Sequence, residues 1–165
     1  MKKEEKTNVM RVLDQKKADY VSHCYLDLCK DEVTTNGVEI AELLKQDPAQ
    51  VFKTLVTEGK SKQYYVFMVP VAEELDLKKA AAAVGEKSIE MIPKKELLPL
   101  TGYVHGGCSP IGMKKFFPTT VHESAKDFEK IVFSGGKVGY QVEMSAATLE
   151  KVIRLKYADI IKDNK

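Results

Sequence analysis

The sequence GYVHGGCSPIG at residues 102–112 contains four of the ten glycines in the chain, and three more follow at positions 135, 136 and 139. Glycine lacks a Cβ, so such a segment can turn with positive φ and bring its backbone amides close to a ligand. Amides that converge in a turn can form a donor site for an anion or a developing oxyanion. The same pattern also fits a tight loop that binds nothing, and both interpretations stay open for this segment alone.

A lysine interrupts an apolar, strand-like run at residues 51–56, VFKTLV. In a strand, Lys53 shares a face with Val51 and Leu55. If that face points inward, the ammonium lies in a pocket, where burial lowers its pKa and where it can bind a carbonyl or phosphate oxygen. If the strand lies at a sheet edge, the same side chain extends along its apolar stem to water. The spacing favours neither arrangement over the other.

Composition indicates a folded chain rather than a disordered one, since 44% of the 165 residues are hydrophobic and 30% are charged. Residues 1–165 are predicted to form one domain. No apolar run reaches the length of a membrane span, and the charged N-terminus lacks the apolar core of a secretion signal. Three cysteines, an odd number, are typical of free thiols in a reducing cytoplasm.

Several familiar catalytic sites are disfavoured by residue spacing. Zinc sites need three or four ligands, whereas the C-x4-C spacing of Cys24 and Cys29 next to His23 has no second pair after it and the pair His105 and Cys108 is isolated, so no metal is predicted. Ser109 lies outside the G-x-S-x-G pattern of hydrolases, and no segment has the P-loop spacing. A catalytic serine or cysteine nucleophile is therefore not expected.

Short helices and strands alternate along the predicted chain. Thr7, Asp47, Asp76 and Ser145 are predicted helix N-caps, and Gly85 is predicted to end a helix. The predicted helices run from Thr7 to residue 16, over 38–45, briefly from 48, over 77–84, 93–98 and 146–161; the predicted strands cover 20–25, 51–57, 63–69, 88–92, 119–122, 129–133 and 140–144, with hairpin turns at 58–61 and 134–139. This order predicts an α+β domain built on a mixed, closed sheet.

Basic residues are spread thinly, and the net charge of +2 permits a nucleic-acid partner without requiring one. Lys114, Lys115 and Lys137 are predicted to flank a pocket and meet phosphates. A second group is predicted to decorate the solvated face of the last helix: Lys151, Arg154, Lys156 and Lys162.

Four ordered landmarks together resemble the YbaK/EbsC family of bacterial aminoacyl-tRNA deacylases, whose fold is shared with the editing insertion of bacterial prolyl-tRNA synthetases. The landmarks are VFKTL at 51–55, VPV at 69–71 with LDLKK at 75–79, the Gly-rich segment 102–112, and FSGGK at 133–137. The resemblance covers nearly the whole chain. It implies a mixed, barrel-like β-sheet surrounded by helices and an enzyme that removes a wrong amino acid from tRNA, with cysteine on tRNA(Pro) as the substrate of the nearest relatives.

The resemblance also implies a set of site residues. Lys53 matches the essential lysine of the family, and Gly106 and Gly107 match its loop at the substrate ester. Substrate-binding positions are implied for six further residues: Tyr25, Thr54, Cys108, Ser109, Ser134 and Gln141. At Gln141 the chain departs from relatives that carry an acidic residue, so any role that needs a carboxylate is in doubt at this position.

The mechanism that the resemblance implies uses no cofactor and no protein nucleophile. The cysteine thiol of the substrate attacks its own ester carbonyl, with help from the terminal ribose hydroxyl, and leaves as a cyclic thiolactone. Lys53 and the Gly106 and Gly107 amides would hold the ester and stabilise the oxyanion. The aminoacyl-tRNA 3′ end is the implied partner, and prolyl-tRNA synthetase is a second candidate.

Two other functions stay open at this stage. The pocket could select another small amino acid, alanine or serine, or the chain could be an inactive protein that binds aminoacyl-tRNA for regulation. Duplex DNA is the weakest candidate partner, because no helix-turn-helix pattern is seen and the net charge is small.

Overall fold

A computed structural model describes residues 6–29 and 32–163. The helices are α1 (Asn8–Gln15), α2 (Gly37–Leu43), α3 (Leu77–Val84), α4 (Leu97–Thr101) and α5 (Ala146–Val152), with 3₁₀ turns at Leu26–Leu28, Lys94–Glu96 and Glu123–Asp127. The strands are β1 (Val21–Cys24), β2 (Phe52–Gly59), β3 (Tyr64–Pro70), β4 (Ile89–Met91), β5 (Thr119–His122), β6 (Ile131–Ser134), β7 (Tyr140–Met144) and β8 (Leu155–Ala158). No helix within the described residues has both the length and the apolar character needed to cross a membrane.

Local capping chemistry fixes several helix ends where the sequence predicts them. The Thr7 hydroxyl accepts a hydrogen bond from the Met10 amide, and Ser145 caps α5 in the same way. The Asp76 carboxylate accepts from two amides at the start of α3, and Gly85 ends that helix with a φ of 75°. The predicted caps at Thr7, Asp76 and Ser145 and the predicted stop at Gly85 are confirmed.

The strands form two sheets. The larger has the order β4-β2-β3-β5-β8, in which β2 pairs antiparallel with β3 and β4, while β5 runs parallel to β3 and β8. The smaller, β1-β7-β6, is antiparallel. The sheets meet where Val51 bridges Val132, whose amide donates to the Gln50 carbonyl at 3.0 Å. The predicted mixed α+β fold is confirmed, but the strands of the described residues do not close into one sheet.

Apolar side chains cover both faces of the β2–β3 hairpin. One face joins the main core, where Val56 and Met68 pack with α1 and with strands of the smaller sheet. The other face joins a second core, in which Phe67 and Val69 pack with α3 and Ile160. Because β2 is covered on both faces, its polar residues are held in low-dielectric surroundings.

Two predicted helices are wrong. The last helix ends at Val152 rather than at residue 161, since Ile153 is already extended and Leu155–Ala158 pairs in parallel with β5. Helical spacing of apolar residues did not reveal this strand, because a parallel pairing partner lies far away in sequence. Lys156 therefore lies on β8, not on a helix face. The Asp47-Pro48 signal produces only a turn, in which the Asp47 carboxylate accepts from the Ala49 amide.

Candidate active site

A cavity of about 170 Å³ lies between α2, the first half of β2, the Gly-rich loop and the smaller sheet. β4 pairs with β2 only at its far end, Thr57 to Gly59, and the Ile92 amide donates to the Val56 carbonyl, so one edge of residues 52–55 is left to the cavity. Consecutive residues of β2 therefore reach the same space. Seven of the nine predicted site residues line it: Tyr25, Lys53, Thr54, Gly106, Cys108, Ser134 and Gln141.

Lys53 lies on β2 opposite Val69 and is partly buried in the cavity wall. Burial lowers the pKa of its ammonium group, and the nearby Glu74 and Glu73 carboxylates only partly oppose that shift. The ammonium donates no hydrogen bond to any residue within the described ranges. A desolvated cation with unused donors can bind a carbonyl or phosphate oxygen that enters the cavity.

Thr54 supplies a second unused polar group. Its Oγ1 is buried and has no hydrogen-bond partner among the described residues. An unsatisfied buried hydroxyl costs about 1–3 kcal/mol relative to one that is hydrogen-bonded. A ligand in the cavity would supply the missing partner, so the Thr54 hydroxyl points to a binding role for this wall.

Gly106 brings backbone to the cavity in a conformation that other residues avoid. Its φ is 86°, and a Cβ at this position would lie 2.6 Å from Cγ2 of Thr35. Both the turn and the close approach of the segment before α2 therefore require glycine. The Gly106 amide donates to no carbonyl within the described residues, so it is available to a ligand oxygen.

Gly107 and Ser109 do not line the cavity. The Gly107 amide donates to the Val104 carbonyl at 2.9 Å, and a Cβ here would lie 2.9 Å from the Val138 amide nitrogen. Ser109 is fully buried, with its hydroxyl accepting from the Ile111 amide at 3.4 Å. Both residues hold the Gly-rich loop in shape, and the substrate contacts that the resemblance implies for them stay a prediction.

Cys108 lines the cavity as a neutral thiol. The side chain is buried, and this burial raises its pKa to about 12. A thiol with such a pKa is a poor nucleophile near neutral pH. We therefore do not expect the Cys108 sulfur to act as a nucleophile, and its substrate contact stays a prediction.

Gln141 is bound to a residue that the sequence analysis did not single out. The Gln46 amide nitrogen donates to Gln141 Oε1 at 3.0 Å, so Gln46 contacts a cavity-lining residue without lining the cavity itself. The Gln46 Oε1 atom is buried without a partner among the described residues. No local pattern marks Gln46, because its contact spans a large sequence distance.

Other cavity residues also escaped the sequence analysis. Thr35 and Ile40, before and within α2, form one side of the cavity, and Val71 packs beneath them. His105, an exposed member of the quoted Gly-rich segment, lies at the mouth. The sequence analysis considered His105 only as a metal-ligand pair with Cys108, and its place beside Gly106 is the signal that could have marked it as a cavity residue.

A second cluster joins Ser124, His122 and Asp159 but does not form a triad. His122 Nδ1 lies 2.8 Å from Ser124 Oγ, and it also accepts from the Ser124 amide as a cap of the following 3₁₀ turn. Asp159 is 3.6 Å from His122 Nε2 and is ion-paired to Lys79. Within residues 6–29 and 32–163, no group of three or more His, Cys, Asp or Glu side chains could hold a metal ion.

The family assignment rests on a match over most of the chain. The sequence model of the aminoacyl-tRNA editing domain matches residues 31–152, which include every residue of the cavity wall except Tyr25. The chain belongs to the aminoacyl-tRNA editing domain family. The match spans α2, strands β2 to β7 and the Gly-rich loop, so it includes most of the elements that surround the cavity.

Relatives of this editing domain agree with the assignment. EbsC of Enterococcus faecalis, provisionally named a Cys-tRNA(Pro)/Cys-tRNA(Cys) deacylase, is 40% identical over 96% of this chain and 95% of its own. A proline–tRNA ligase of Kosmotoga olearia is 29% identical over 66% of this chain, which is 19% of the ligase.

Solved structures show the same fold. A crystal structure of a protein provisionally named a trans-editing enzyme for prolyl-tRNA synthetase has a TM-score of 0.78 at 23% identity, over 94% of this chain and 96% of that protein. A hypothetical protein superposes with a TM-score of 0.83 at 19% identity, over 94% of this chain and 99% of that protein. At such identities the likeness concerns the architecture of the editing domain and not its substrate.

Proposed function

We propose that this editing domain is a trans-editing deacylase that removes cysteine from mischarged tRNA(Pro). The observation that carries the proposal is the cavity wall itself, where the Lys53 ammonium, the Gly106 amide and the Thr54 hydroxyl all lack hydrogen-bond partners among the described residues. The name of EbsC, a relative matched over nearly its full length, supports cysteine as the amino acid and tRNA(Pro) as the carrier.

The cavity volume limits what can enter. At about 170 Å³, the cavity is close to engineered protein cavities of about 150 Å³ that hold one benzene molecule. A small aminoacyl group fits such a space, whereas a nucleotide must stay at the mouth. The ester that joins the aminoacyl group to the nucleotide therefore lies where the cavity opens to its mouth. There it is within reach of Lys53 and Gly106.

No carboxylate lines the cavity within the described residues. A substrate α-ammonium group must therefore be met by neutral oxygens, and Thr54, Ser134 and Gln141 offer them. Ser134 Oγ already accepts from the Gly136 amide at 3.1 Å, which leaves it a second lone pair. We assign these three residues to recognition of the amino-acid part of the substrate.

The proposed reaction uses the substrate as its own nucleophile. The cysteine sulfur forms a bond to the ester carbonyl carbon, the bond from that carbon to the ribose oxygen breaks, and the thiol proton passes to the leaving ribose oxygen. The products are a four-membered thiolactone and uncharged tRNA. The developing oxyanion is stabilised by the Lys53 ammonium and the Gly106 amide, so the protein supplies position and charge rather than a base.

The pKa shifts of the titratable side chains in the cavity wall agree with a mechanism in which the protein supplies position and charge rather than a base. Burial raises the pKa of Tyr25 and that of Cys108, so both stay neutral near pH 7. Lys53 is the cation of the wall, and the exposed His105 at the mouth is the remaining candidate for proton transfer. A water molecule activated by His105 would give a deacylase for alanine or serine, which is the second candidate function.

A deacylation panel tests the proposal. The purified protein is incubated with Cys-, Ala-, Ser- and Pro-tRNA(Pro), and loss of the ester is followed for wild type, Lys53→Ala and His105→Ala. Selective loss of cysteine that requires Lys53 but not His105 is the expected result. Turnover of alanine or serine at the cysteine rate, abolished by His105→Ala, would replace self-attack with water attack.

The rest of the proposal follows from this substrate. Charged tRNA is made where translation occurs, so the proposed activity belongs to the cytoplasm. Residues 1–165 would act as one editing domain that meets the aminoacyl-tRNA 3′ end, with prolyl-tRNA synthetase as a proposed partner. Deacylation of Cys-tRNA(Pro) with and without added synthetase measures whether that partner contributes.

A further inference from the structure

Two buried side-chain oxygens lack a hydrogen-bond partner among the described residues, Thr54 Oγ1 and Gln46 Oε1. Folded proteins leave few buried polar groups unpaired, so each such atom needs an explanation. Thr54 lines the cavity, and the side-chain amide of Gln46 is bonded to Gln141, which also lines it. Both unpaired oxygens therefore belong to residues of one site, although Gln46 itself lies outside the cavity wall.

The backbone of Gln46 is fixed by the end of α2. Its amide donates to the Ala41 carbonyl at 2.8 Å. The Lys45 amide donates to the Glu42 carbonyl at 3.2 Å, and Lys45 has a φ of 56°. Two such bonds around one left-handed residue form a Schellman motif, which ends a helix in a defined geometry. Because Ile40 of the same helix lines the cavity, Gln46 is held in a set position relative to the wall.

Gln141 has a fixed backbone and a long side chain. It lies on β7, the central strand of the smaller sheet, opposite His23 on β1 and Ser134 on β6. Freezing the rotatable bonds of such a side chain when a ligand binds lowers the affinity. The 3.0 Å hydrogen bond from Gln46 Nε2 to Gln141 Oε1 restricts those bonds before any ligand arrives.

The direction of this hydrogen bond decides how the Gln141 amide is used. A carbonyl oxygen has two lone pairs, so Gln141 Oε1 can accept from Gln46 and from one further donor. The reverse pairing, with Gln141 Nε2 donating to Gln46 Oε1, would satisfy the Gln46 oxygen but would not hold the Gln141 oxygen. The observed pairing leaves one buried oxygen unpaired and fixes the other, which is the arrangement expected of a pair that serves a ligand.

We infer that Gln46 is a positioning residue, which holds the Gln141 carbonyl oxygen in place to accept a hydrogen bond from the α-ammonium group of the substrate amino acid. This inference rests on the proposed function, which assigns Gln141 to the amino-acid part of the substrate, and extends that assignment to a residue outside the cavity. Gln46 makes no substrate contact of its own. Its loss should weaken binding of the amino group and leave the chemistry at the ester unchanged.

The test measures binding and does not require catalysis. The probe is 3′-deoxy-3′-(serylamino)adenosine, in which a stable amide replaces the ester and a hydroxyl replaces the cysteine thiol. Its N-acetyl form, which has no ammonium group, is the comparison compound. Calorimetry of Gln46→Met should show the free-amine probe bound about 3–10-fold more weakly than by wild type, the effect of one hydrogen bond. Binding of the N-acetyl compound should change by less than about 2-fold in the same variant.

Gln50→Met provides the matched control. Gln50 Nε2 donates to the Lys130 carbonyl at 2.7 Å, so this variant also removes a long-range hydrogen bond of a glutamine, and neither residue lines the cavity. It should leave the binding of both compounds unchanged. Gln46→Met should also keep a Tm within about 2 °C of wild type, because it removes an unpaired buried oxygen together with the hydrogen bond.

A double-mutant cycle shows whether Gln46 acts through Gln141. Gln141→Met alone and combined with Gln46→Met should bind the free-amine probe equally weakly, because the second change removes nothing that the first has left. Additive losses would show that Gln46 acts independently and would overturn the inference. An equal loss for both compounds, accompanied by a lower Tm, would show a purely structural role and would also overturn it.

The outcomes separate this inference from the proposed function. If wild type cleaves Cys-tRNA(Pro) but Gln46→Met binds both compounds as wild type does, the positioning role fails and the deacylase proposal stands. The inference also fails if wild type does not prefer the free-amine probe to the N-acetyl compound. If the Gln46 dependence holds while wild type cleaves no ester, the positioning role stands and the deacylase proposal falls.

Discussion

The hydroxyl of Thr54 is buried without a partner among the described residues, whereas that of Thr57, three residues along the same strand, donates to the Tyr65 carbonyl at 3.0 Å. The two threonines point to opposite faces of β2. One β-branched residue therefore satisfies its hydroxyl within the fold, and the other leaves it for the cavity. We therefore expect the Thr57 hydroxyl to contribute to stability and the Thr54 hydroxyl to contribute to binding.

Replacing each threonine with valine, which keeps the shape and removes the hydroxyl, should give opposite results. Thr54→Val is expected to raise the free energy of unfolding by about 1 kcal/mol, because it removes an unsatisfied buried group, and to raise KM for Cys-tRNA(Pro). Thr57→Val should lower stability by about 1 kcal/mol through its lost hydrogen bond and leave KM unchanged. Urea unfolding measures the free energy of unfolding, and steady-state deacylation measures KM. A loss of stability in Thr54→Val would show that the Thr54 hydroxyl already has a hydrogen-bond partner in the fold.

Two glycines with the same backbone conformation predict different losses. Gly85 has a φ of 75° and a Cβ there would meet no atom within 4 Å, whereas a Cβ on Gly106 would collide with Thr35. Alanine at either position costs about 1–2 kcal/mol for the left-handed conformation. Gly106→Ala should cost about 1–3 kcal/mol more through overpacking and should also reduce deacylation.

A double variant checks the cause of that additional loss. Thr35→Gly removes the atoms that the new Cβ would contact, so Gly106→Ala combined with Thr35→Gly should recover stability relative to Gly106→Ala alone. Thermal unfolding of the wild type, the two single variants and the double variant gives the coupling free energy between Gly106 and Thr35. Equal losses at Gly85 and Gly106, or no recovery in the double variant, would contradict the close approach to Thr35.

Local signals in the sequence were enough to predict much of the fold. α3 begins and ends where Asp76 and Gly85 predict, and β7 covers Tyr140–Met144 as its alternating pattern predicts. Cap chemistry and strand periodicity act over a few residues, so a sequence displays them directly. β8 depends on parallel pairing with β5, and no local pattern reports such a distant partner.

The cavity was predictable to a similar extent. Lys53 stands out in sequence as a cation in an apolar strand, and Gly106 stands out as part of a segment unusually rich in glycine. Thr35 and Gln46 have no such contrast. Thr35 lines the cavity only through long-range packing of the segment before α2, and Gln46 contacts the cavity residue Gln141 from the turn after that helix. Gly107 has the same local sequence context as Gly106, yet its amide donates a hydrogen bond to the Val104 carbonyl within the loop. The sequence does not show which of the two amides is bonded in this way.

Lys53 should lower stability while it supports activity. Burial lowers the pKa of its ammonium below the ordinary 10.5, so the unfolded chain holds more protons than the folded chain between the two pKa values. The free energy of unfolding should therefore rise with pH across that window. Lys53→Met should abolish deacylation. It should also stabilise the fold by about 1 kcal/mol, which raises Tm near pH 7 by about 2–4 °C, and it should remove the increase of the free energy of unfolding with pH.

Lys60, exposed in the β2–β3 turn, provides the matched control. Lys60→Met should change neither the Tm nor the rate of deacylation. Thermal unfolding between pH 7 and pH 11 compares the three proteins. A Lys53→Met variant that melts below wild type and keeps the same pH slope would show that the ammonium is satisfied within the fold.

Gln141 offers a test of how the neutral wall receives a charged amino group. Gln141→Glu keeps an oxygen where the Gln46 amide donates at 3.0 Å, so the hydrogen bond survives and becomes charge-assisted. The added carboxylate should lower KM for Cys-tRNA(Pro) about 3–10-fold, the factor that a gain near 1 kcal/mol gives, by pairing with the substrate α-ammonium. Burial will raise the pKa of this carboxyl, so the gain should disappear as pH falls through that raised value. N-acetyl-Cys-tRNA(Pro), which has no ammonium, should show no gain; an equal improvement for both substrates would place the amino group elsewhere in the cavity.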